Sequence, residues 1–254
     1  MDYVNLDEAT EIEPTPVVWT AQPVLDIVLN APENSFVIDT GCHKGAWIRT
    51  MGIHHFLDHS IKTIGIDILN HNCGDLYDFF FATPLDVEEK EREAFIFHET
   101  AINSLHNRNP NLSYDDAPYM ALNTTKTMTT KRLDTVLETL CAVEKAVIDK
   151  IHYLKVDCQG NDVNVVKSLG KYLDKTDYVQ IETTFDDQNL YDISLTYVDD
   201  IKEMRELGFT PIYYCSQQKR AFSMPKEGEI YLKDKVLHKL WHKIILTMIC
   251  IFGE

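Results

Sequence analysis

Apolar runs of five to seven residues alternate with amphipathic segments along most of this sequence. Residues 35–39 (SFVID), 63–69 (TIGIDIL) and 151–157 (IHYLKVD) have the length and composition of buried strands, and each places an aspartate near its carboxyl end. Helical spacing of apolar positions follows in the helices predicted over residues 17–31, 44–57 and 161–173. Strands that alternate with helices are typical of parallel crossovers, so the pattern predicts an α/β fold on a mostly parallel sheet.

The remaining segments complete this picture. Aromatic and β-branched runs predict strands within 77–84, at 93–99 and at 178–184, and a short strand followed by a helix within 127–140. Residues 103–126 are rich in Asn, Ser and Thr and predict a long loop, which in a compact domain is usually a lid or an insertion. A helix over 197–209 precedes strands at 210–215 and 229–233, which we expect to form an antiparallel closing pair.

The pattern divides the chain into three parts. Residues 1–16 are acidic and contain proline, which is typical of a flexible leader. Residues 17–235 form the predicted α/β domain. Residues 236–254 have Leu, Trp and Ile at helical spacing and predict an amphipathic helix that packs on the domain or on a second copy, giving a homo-oligomer. Binding of this helix to a membrane surface is a weaker alternative, because it carries few basic residues.

The amino-acid composition limits which classes of partner and ligand we expect. The formal net charge of −16 opposes binding to DNA or long RNA, so we expect no nucleic-acid partner. Six scattered cysteines without a CxxC pair favour reduced thiols in the cytoplasm over a disulfide framework or a zinc site. No stretch reaches the roughly 20 apolar residues of a membrane-spanning helix. His55 and His59 have helical i,i+4 spacing, but without a third ligand we expect no metal.

The turn after the first strand reads D-x-G-x-x-x-G, from Asp39 through Gly41 to Gly45. Gly41 permits a tight turn and the approach of a ligand, and Gly45 permits the helix to pack close to the strand. The N-terminus of that helix offers free N–H groups to an anion. The turn lacks the third glycine of G-x-G-x-x-G and the G-K-[ST] ending of a P-loop, and a purely structural turn remains an alternative.

Aspartates and a lysine stand at the ends of the following strands. Asp67 is placed to accept hydrogen bonds from the hydroxyls of a ribose, although an aspartate there is also a common turn former. Lys155 and Asp157 share one face of a strand, and Glu182 ends the next strand, so the three predict a site that orients or deprotonates a hydroxyl. A buried Lys–carboxylate pair, and a capping role for Glu182, are the structural alternatives.

These motifs, in the order DTGCHKG, IGID, RLDTVLE, LKVDCQGND and VQIETT, resemble the FkbM-type family of S-adenosylmethionine-dependent methyltransferases. The family's first turn reads D-x-G-A-N-x-G, and its late strand reads K-[IV]-D-x-E-G-x-[ED]. The segment Ile102-Asn103-Ser104-Leu105 resembles the family's Ser-Leu segment, which tends to face the site. His43 stands where the family has Asn, and Gln159 stands where it has Glu, which removes a negative charge.

The resemblance implies a Rossmann-like class I methyltransferase fold with helices on both faces of the sheet. It implies S-adenosylmethionine as the cofactor, O-methylation of a sugar or small-molecule hydroxyl, and Asp157, Lys155 and Glu182 as catalytic residues. The implied cofactor-binding residues are Asp39, Gly41, Cys42, His43, Gly45, Asp67, Ile68 and Ser104. Two alternatives stay open: an inactive methyltransferase-like scaffold, because of His43 and Gln159, and a nicotinamide-dependent oxidoreductase.

Overall fold

The computed structural model describes residues 22–50, 60–112, 120–184, 189–216 and 227–234, which contain a seven-stranded sheet and a separate hairpin. The helices are α1 (Gln22–Leu29), α2 (Ala46–Thr50), α3 (Leu133–Glu144), α4 (Asp162–Lys167) and α5 (Tyr197–Glu206). The sheet comprises β1 (Phe36–Thr40), β2 (Lys62–Asp67), β3 (Phe79–Ala82), β6 (Ile151–Val156), β7 (Thr176–Thr184), β8 (Phe209–Ser216) and β9 (Glu227–Asp234). The hairpin consists of β4 (Glu91–Phe97) and β5 (Leu122–Thr129).

The central strands are buried because their apolar side chains leave both faces of the sheet. Every residue of β1 and β6 is buried. Val37 and Tyr153 belong to a core cluster with Val28 of α1 on one face. Ile38 and Leu154, the next residues along each strand, belong to the cluster on the other face, which includes side chains of α3, α4 and α5. Helices therefore cover both faces, as the sequence predicts.

The strand order is β3-β2-β1-β6-β7-β9-β8. Each neighbouring pair in the series β3, β2, β1, β6 and β7 is parallel. In contrast, β9 is antiparallel to both β7 and β8. The order reverses between β1 and β6, and such a switch point leaves a crevice at the carboxyl ends of the strands. The Rossmann-like, mostly parallel sheet and its antiparallel closing pair are thus confirmed.

The hairpin corrects the loop that the sequence predicts over residues 103–126. The strand β5 begins at Leu122 and pairs antiparallel with β4 along its length, so the last five residues of that loop are strand. Seven of the eight residues of β5 are exposed. Because seven of its eight residues are exposed, β5 has no need for apolar alternation, and the sequence predicts a short strand only from residue 127 onwards.

One predicted helix is shorter than expected, and three other predicted features lie outside the described residues. The helix predicted over 161–173 ends at Lys167, since Ser168 donates to Val165 O at 2.7 Å and accepts from Leu133 N at 3.0 Å, and a 3₁₀ helix follows over Gly170–Lys175. The predicted leader (1–16), the C-terminal helix (236–254) and the His55–His59 pair lie outside the described residues. None of the helices within the described ranges has the length and apolarity needed to cross a bilayer.

Candidate active site

Two clefts open at the carboxyl ends of the parallel strands. The first, here called the edge cleft, contains about 480 Å³ of empty space and follows β1, β2, β3 and β6; its lining includes Gly41, Asp67, Ile68, Asn103, Ser104, Asp157 and Gln159. The second, the polar cleft, contains about 550 Å³ between α4, α5 and the end of β7; its lining includes Asp162, Asn164, Glu182, Thr183, Asn189 and Tyr191. Asn161 lines both clefts, so they are neighbours.

The turn between β1 and α2 is held tightly against the end of β6. Gly41 has a φ of +68°, and a Cβ atom there would lie 1.7 Å from the carbonyl oxygen of Asp157. The N–H of Gly41 donates to Ile66 O at 2.9 Å. A Cβ at Gly45 would lie 2.3 Å from Leu76 Cδ1. The group that approaches Gly41 closely is thus the backbone of Asp157, and Gly45 leaves space for a leucine side chain instead of for the strand.

Lys155 lies between two carboxylates beneath this turn. Its Nζ is 3.3 Å from Asp39 Oδ1 and 3.2 Å from Asp157 Oδ2. The hydroxyl of Tyr77 donates to Asp39 Oδ2 at 2.6 Å. Burial raises the pKa of Asp39, and the positive charge of Lys155 opposes that rise. Neither Asp39 nor Lys155 lines a cleft, so the buried Lys–carboxylate pair left open by the sequence is present.

Asp67 is the last residue of β2 and lines the edge cleft. Its Oδ2 accepts from His43 N at 2.7 Å, its Oδ1 accepts from Leu69 N at 2.9 Å, and His71 Nε2 lies 3.3 Å from Oδ1. A carboxylate oxygen accepts more than one hydrogen bond, so these contacts fix the side chain and leave capacity for a donor in the cleft. Ile68 lines the same cleft.

The side chains of Cys42 and His43 take different positions. Cys42 is 1% exposed and belongs to the core cluster beside α1 and α2, and burial raises the pKa of its thiol. His43 Nε2 is 2.9 Å from Thr100 Oγ1, which links the turn to the segment after β4. Burial and the neighbouring His71 lower the pKa of His43. A cofactor contact of Cys42 would therefore involve its backbone.

Gln159 joins Asp157, which directly follows β6, to Glu182, which lies two residues before the end of β7. Its Nε2 donates to Asp157 Oδ1 at 2.6 Å and to Glu182 Oε2 at 2.9 Å. The hydroxyl of Tyr191 donates to Gln159 Oε1. Burial alone raises the pKa of Asp157, but the charge of Lys155 and the hydrogen bonds that the carboxylate accepts hold this pKa below its ordinary value. The site thus contains two acids on adjacent strands with one neutral amide between them.

Sequence reasoning missed Asp162 and Tyr191 as members of the site. Asp162 accepts from Cys158 N at 3.3 Å and from Glu182 N at 3.2 Å, which ties the loop after β6 to β7. Burial raises the pKa of Asp162 to about 8. The last position of the motif K-V-D-C-Q-G-N-D is Asp162, so a signal existed for it. Tyr191 stands in no recognisable pattern, and only the folded chain brings it to Gln159.

Ser104 links the hairpin strand β4 to the loop that follows β6. Its hydroxyl donates to Gln159 O at 2.7 Å and accepts from His106 N at 2.9 Å. Its backbone N and O both bond to Phe95 of β4. Ser104 lines the edge cleft, and its hydroxyl is already bonded to protein atoms.

Only some of the predicted site residues line one of the two clefts. Those that line the edge cleft are Gly41, Asp67, Ile68, Ser104 and Asp157, and Glu182 lines the polar cleft. Those that line neither cleft are Asp39, Cys42, His43, Gly45 and Lys155. This second group shapes the turn and its electrostatics from beneath or beside the clefts.

The sequence profile of one family, described as Methyltransferase FkbM domain, matches residues 69–211, which is more than half of the chain. No curated protein matches the sequence. The matched range includes the whole late-strand motif and the Ser104 segment.

Two of the solved structures with a similar course of the chain are methyltransferases of low sequence identity. Magnesium protoporphyrin IX methyltransferase from Synechocystis PCC 6803, with bound S-adenosylmethionine, is 8% identical over 84% of this chain and 77% of its own, with a TM-score of 0.42. A SAM-dependent methyltransferase from Aquifex aeolicus is 9% identical over 83% of this chain and 87% of its own, with a TM-score of 0.37. At these scores they carry no argument about the site.

Proposed function

The chain belongs to the FkbM family of S-adenosylmethionine-dependent methyltransferases, and we propose that it methylates a hydroxyl oxygen of a sugar or another small molecule. The observation that carries this proposal is the pair of acids Asp157 and Glu182, which Gln159 joins between the edge cleft and the polar cleft. A hydroxyl needs to lose its proton on methylation, and a positioned carboxylate can accept that proton.

The edge cleft fits the cofactor. Asp67 offers a carboxylate to ribose hydroxyls at the switch-point edge of the sheet, and Ile68 provides an apolar surface beside it. Gly41 lines the same cleft, and its backbone packs there against the carbonyl group of Asp157. When bound, S-adenosylmethionine supplies a methyl group made electrophilic by its sulfonium. Asp67, Ile68 and the Gly41 turn are therefore the residues that we propose hold it.

The acids at the centre have different proposed roles. Asp157 faces the edge cleft and is held ionised by Lys155, so it orients the groups that meet there. Glu182 faces the polar cleft and is the proposed proton acceptor. Lys155 acts through Asp157 as a positioning residue, since its ammonium is buried between two carboxylates and lines neither cleft.

The lining of the polar cleft supports a hydroxyl-rich acceptor. Asn164, Thr183 and Asn189 line this cleft together with Glu182. Their donor groups bond to Asn161, to Asp200 and to the carbonyls of Ile193 and Leu195, respectively. Ile193 and Leu195 add apolar surface to the same wall, which also contains the buried Tyr191. Sugars are commonly held by such a combination of hydrogen-bonding side chains and an apolar face.

Two measurements test the proposal. Thermal unfolding of the protein with S-adenosylhomocysteine, S-adenosylmethionine or NADH should show a higher Tm with the first two only, because a ligand that binds the native state stabilises it. Transfer of labelled methyl from S-adenosylmethionine to a panel of glycans and hydroxylated metabolites should then give an O-methylated product. Stabilisation by NADH alone would favour the oxidoreductase alternative, and cofactor binding with no transfer to any acceptor would favour the scaffold.

A further inference from the structure

Asn103 is a buried amide on the wall of the edge cleft. It follows the 3₁₀ turn Thr100–Ile102 and is 7% exposed. Its Oδ1 accepts a hydrogen bond from the backbone N–H of Phe97 at 3.0 Å. This bond fixes the orientation of the amide, because rotation by 180° would place two donors against each other. The Nδ2 group is therefore the free end of the side chain.

The Nδ2 group of Asn103 has no hydrogen-bond partner among the described residues, although it is buried. A buried amide donor without an acceptor costs free energy, and such groups are rare in native proteins unless a ligand satisfies them. An NH₂ group accepts nothing, so the missing partner has to present a lone pair. Asn103 lines the edge cleft, and because its Nδ2 atom has almost no accessible surface, a ligand atom reaches it only as the wall of the cleft shifts.

The position of Asn103 indicates which part of a ligand it meets. On one side, Thr100 contacts His43, whose backbone N–H holds Asp67. On the other side, Leu105 packs in the same cluster as Ile68. The segment that carries Asn103 therefore contacts, on both sides of Asn103, residues that lie next to Asp67 at the end of β2. Pro84 and Leu85, which follow β3, line the same cleft and give it apolar surface.

We propose that Asn103 Nδ2 donates a hydrogen bond to an acceptor atom, a ring nitrogen or a ribose oxygen, in the nucleoside half of the cofactor. This proposal rests on the proposed function, because it takes S-adenosylmethionine as the ligand of the edge cleft. Asp67 offers acceptors and Asn103 offers donors to the same half of the molecule. A nucleoside presents both hydroxyl donors and nitrogen acceptors, so it satisfies both side chains.

Calorimetric titration of the full chain with S-adenosylhomocysteine and with methylthioadenosine tests this assignment. Methylthioadenosine keeps the nucleoside and lacks the amino-acid carboxylate. Asn103→Asp keeps the oxygen that accepts from Phe97 N–H and replaces the donor by an oxygen, and Asn103→Ala removes the donor without adding charge. We expect Asn103→Ala to weaken both ligands by about tenfold and Asn103→Asp to weaken them further.

Asn107→Asp is the matched control, because Asn107 is exposed, lies four residues further along and also accepts a backbone N–H through its Oδ1. It should leave both affinities unchanged. Wild-type affinities retained in both Asn103 variants, with unchanged Tm of the free proteins, would overturn this assignment alone. Loss of S-adenosylhomocysteine affinity with unchanged methylthioadenosine affinity would overturn the nucleoside assignment. A wild-type chain that binds neither ligand would overturn the proposed function together with this inference.

Discussion

A glutamine and a glutamate have nearly the same size, but at position 159 they would create different sites. The amide of Gln159 donates to Asp157 and to Glu182, so both carboxylates are held without a third negative charge between them. A glutamate there would bring three carboxylates together and raise the pKa of at least one of them. The departure from the family motif at Gln159 therefore keeps a third negative charge out of a site in which the pKa of Asp157 is held low.

Asp162 leads to a prediction about pH. Its pKa in the folded protein is raised to about 8 from 3.8, so between these pH values the folded chain holds a proton that the unfolded chain has released. This contribution to stability is complete below about pH 4 and is lost as the pH rises through about 8. Asp162→Asn removes the titration, so its free energy of unfolding should fall less than that of the wild type between pH 5 and 9. Urea denaturation at several pH values measures this.

Asp174→Asn serves as the control for that experiment, since Asp174 is exposed. It removes one carboxylate and should reproduce the wild-type pH dependence. A wild-type curve that does not fall over this range relative to Asp162→Asn would show that Asp162 is ionised in the folded protein.

At the scale of elements, the hairpin β4–β5 forms one wall of the edge cleft through the segment that follows β4. Ser104 connects this segment to the loop after β6 by donating to Gln159 O and accepting from His106 N. Ser104→Ala removes both bonds, and we expect the free energy of unfolding to fall by about 1–3 kcal/mol. Hydrogen exchange should become faster in residues 95–106 than in β1 and β6, which lie in the buried sheet.

Thr124→Ala provides the comparison for this variant. Thr124 is an exposed residue of β5 whose hydroxyl bonds only to the neighbouring Thr125 O among the described atoms. Its replacement should leave both stability and exchange in residues 95–106 close to wild type. Equal effects of the two variants would mean that Ser104 does not fasten the hairpin.

The elements also show where prediction from sequence succeeds. Strands such as β1 and β6 were predicted because burial on both faces requires continuous apolar runs. The exposed strand β5 was predicted only over its last residues, from 127 onwards, because exposure removes that requirement. The residues at the strand ends, Asp67, Asp157 and Glu182, were predictable from position alone, since parallel strands end at one edge. The bridge by Gln159 and the contact of Tyr191 were not, because they depend on loops that no local pattern specifies.

For the whole molecule, the switch point between β1 and β6 brings together residues that are far apart in sequence. Gly41 and Asp157 touch through a backbone carbonyl, and Asp157 is linked through Gln159 to Glu182. The result is one ridge with a cleft on each side. In our proposal the edge cleft holds the cofactor and the polar cleft holds the acceptor, so binding and chemistry depend on different residues.

This separation predicts unequal effects of two neutral substitutions. Glu182→Gln keeps an oxygen that accepts from Gln159 but cannot take up a proton at neutral pH, so turnover should fall by about 10²–10⁴-fold while S-adenosylhomocysteine affinity stays near wild type. Asp157→Asn weakens the ion pair with Lys155 on the edge cleft, so both turnover and affinity should fall. Methyl transfer to an acceptor identified from the glycan and metabolite panel gives turnover, and calorimetry gives affinity.

The control for Glu182 is Glu203→Gln, which changes another carboxylate of the polar cleft. Glu203 is paired with Lys167 at 2.7 Å on the helix side of that cleft, away from Gln159, so its turnover should remain within a few-fold of wild type. Similar losses in both variants would indicate a general effect of charge in the polar cleft. A loss of affinity in Glu182→Gln equal to its loss of turnover would make Glu182 a ligand of the cofactor, and the two clefts would then work as one binding site instead of dividing the cofactor from the acceptor.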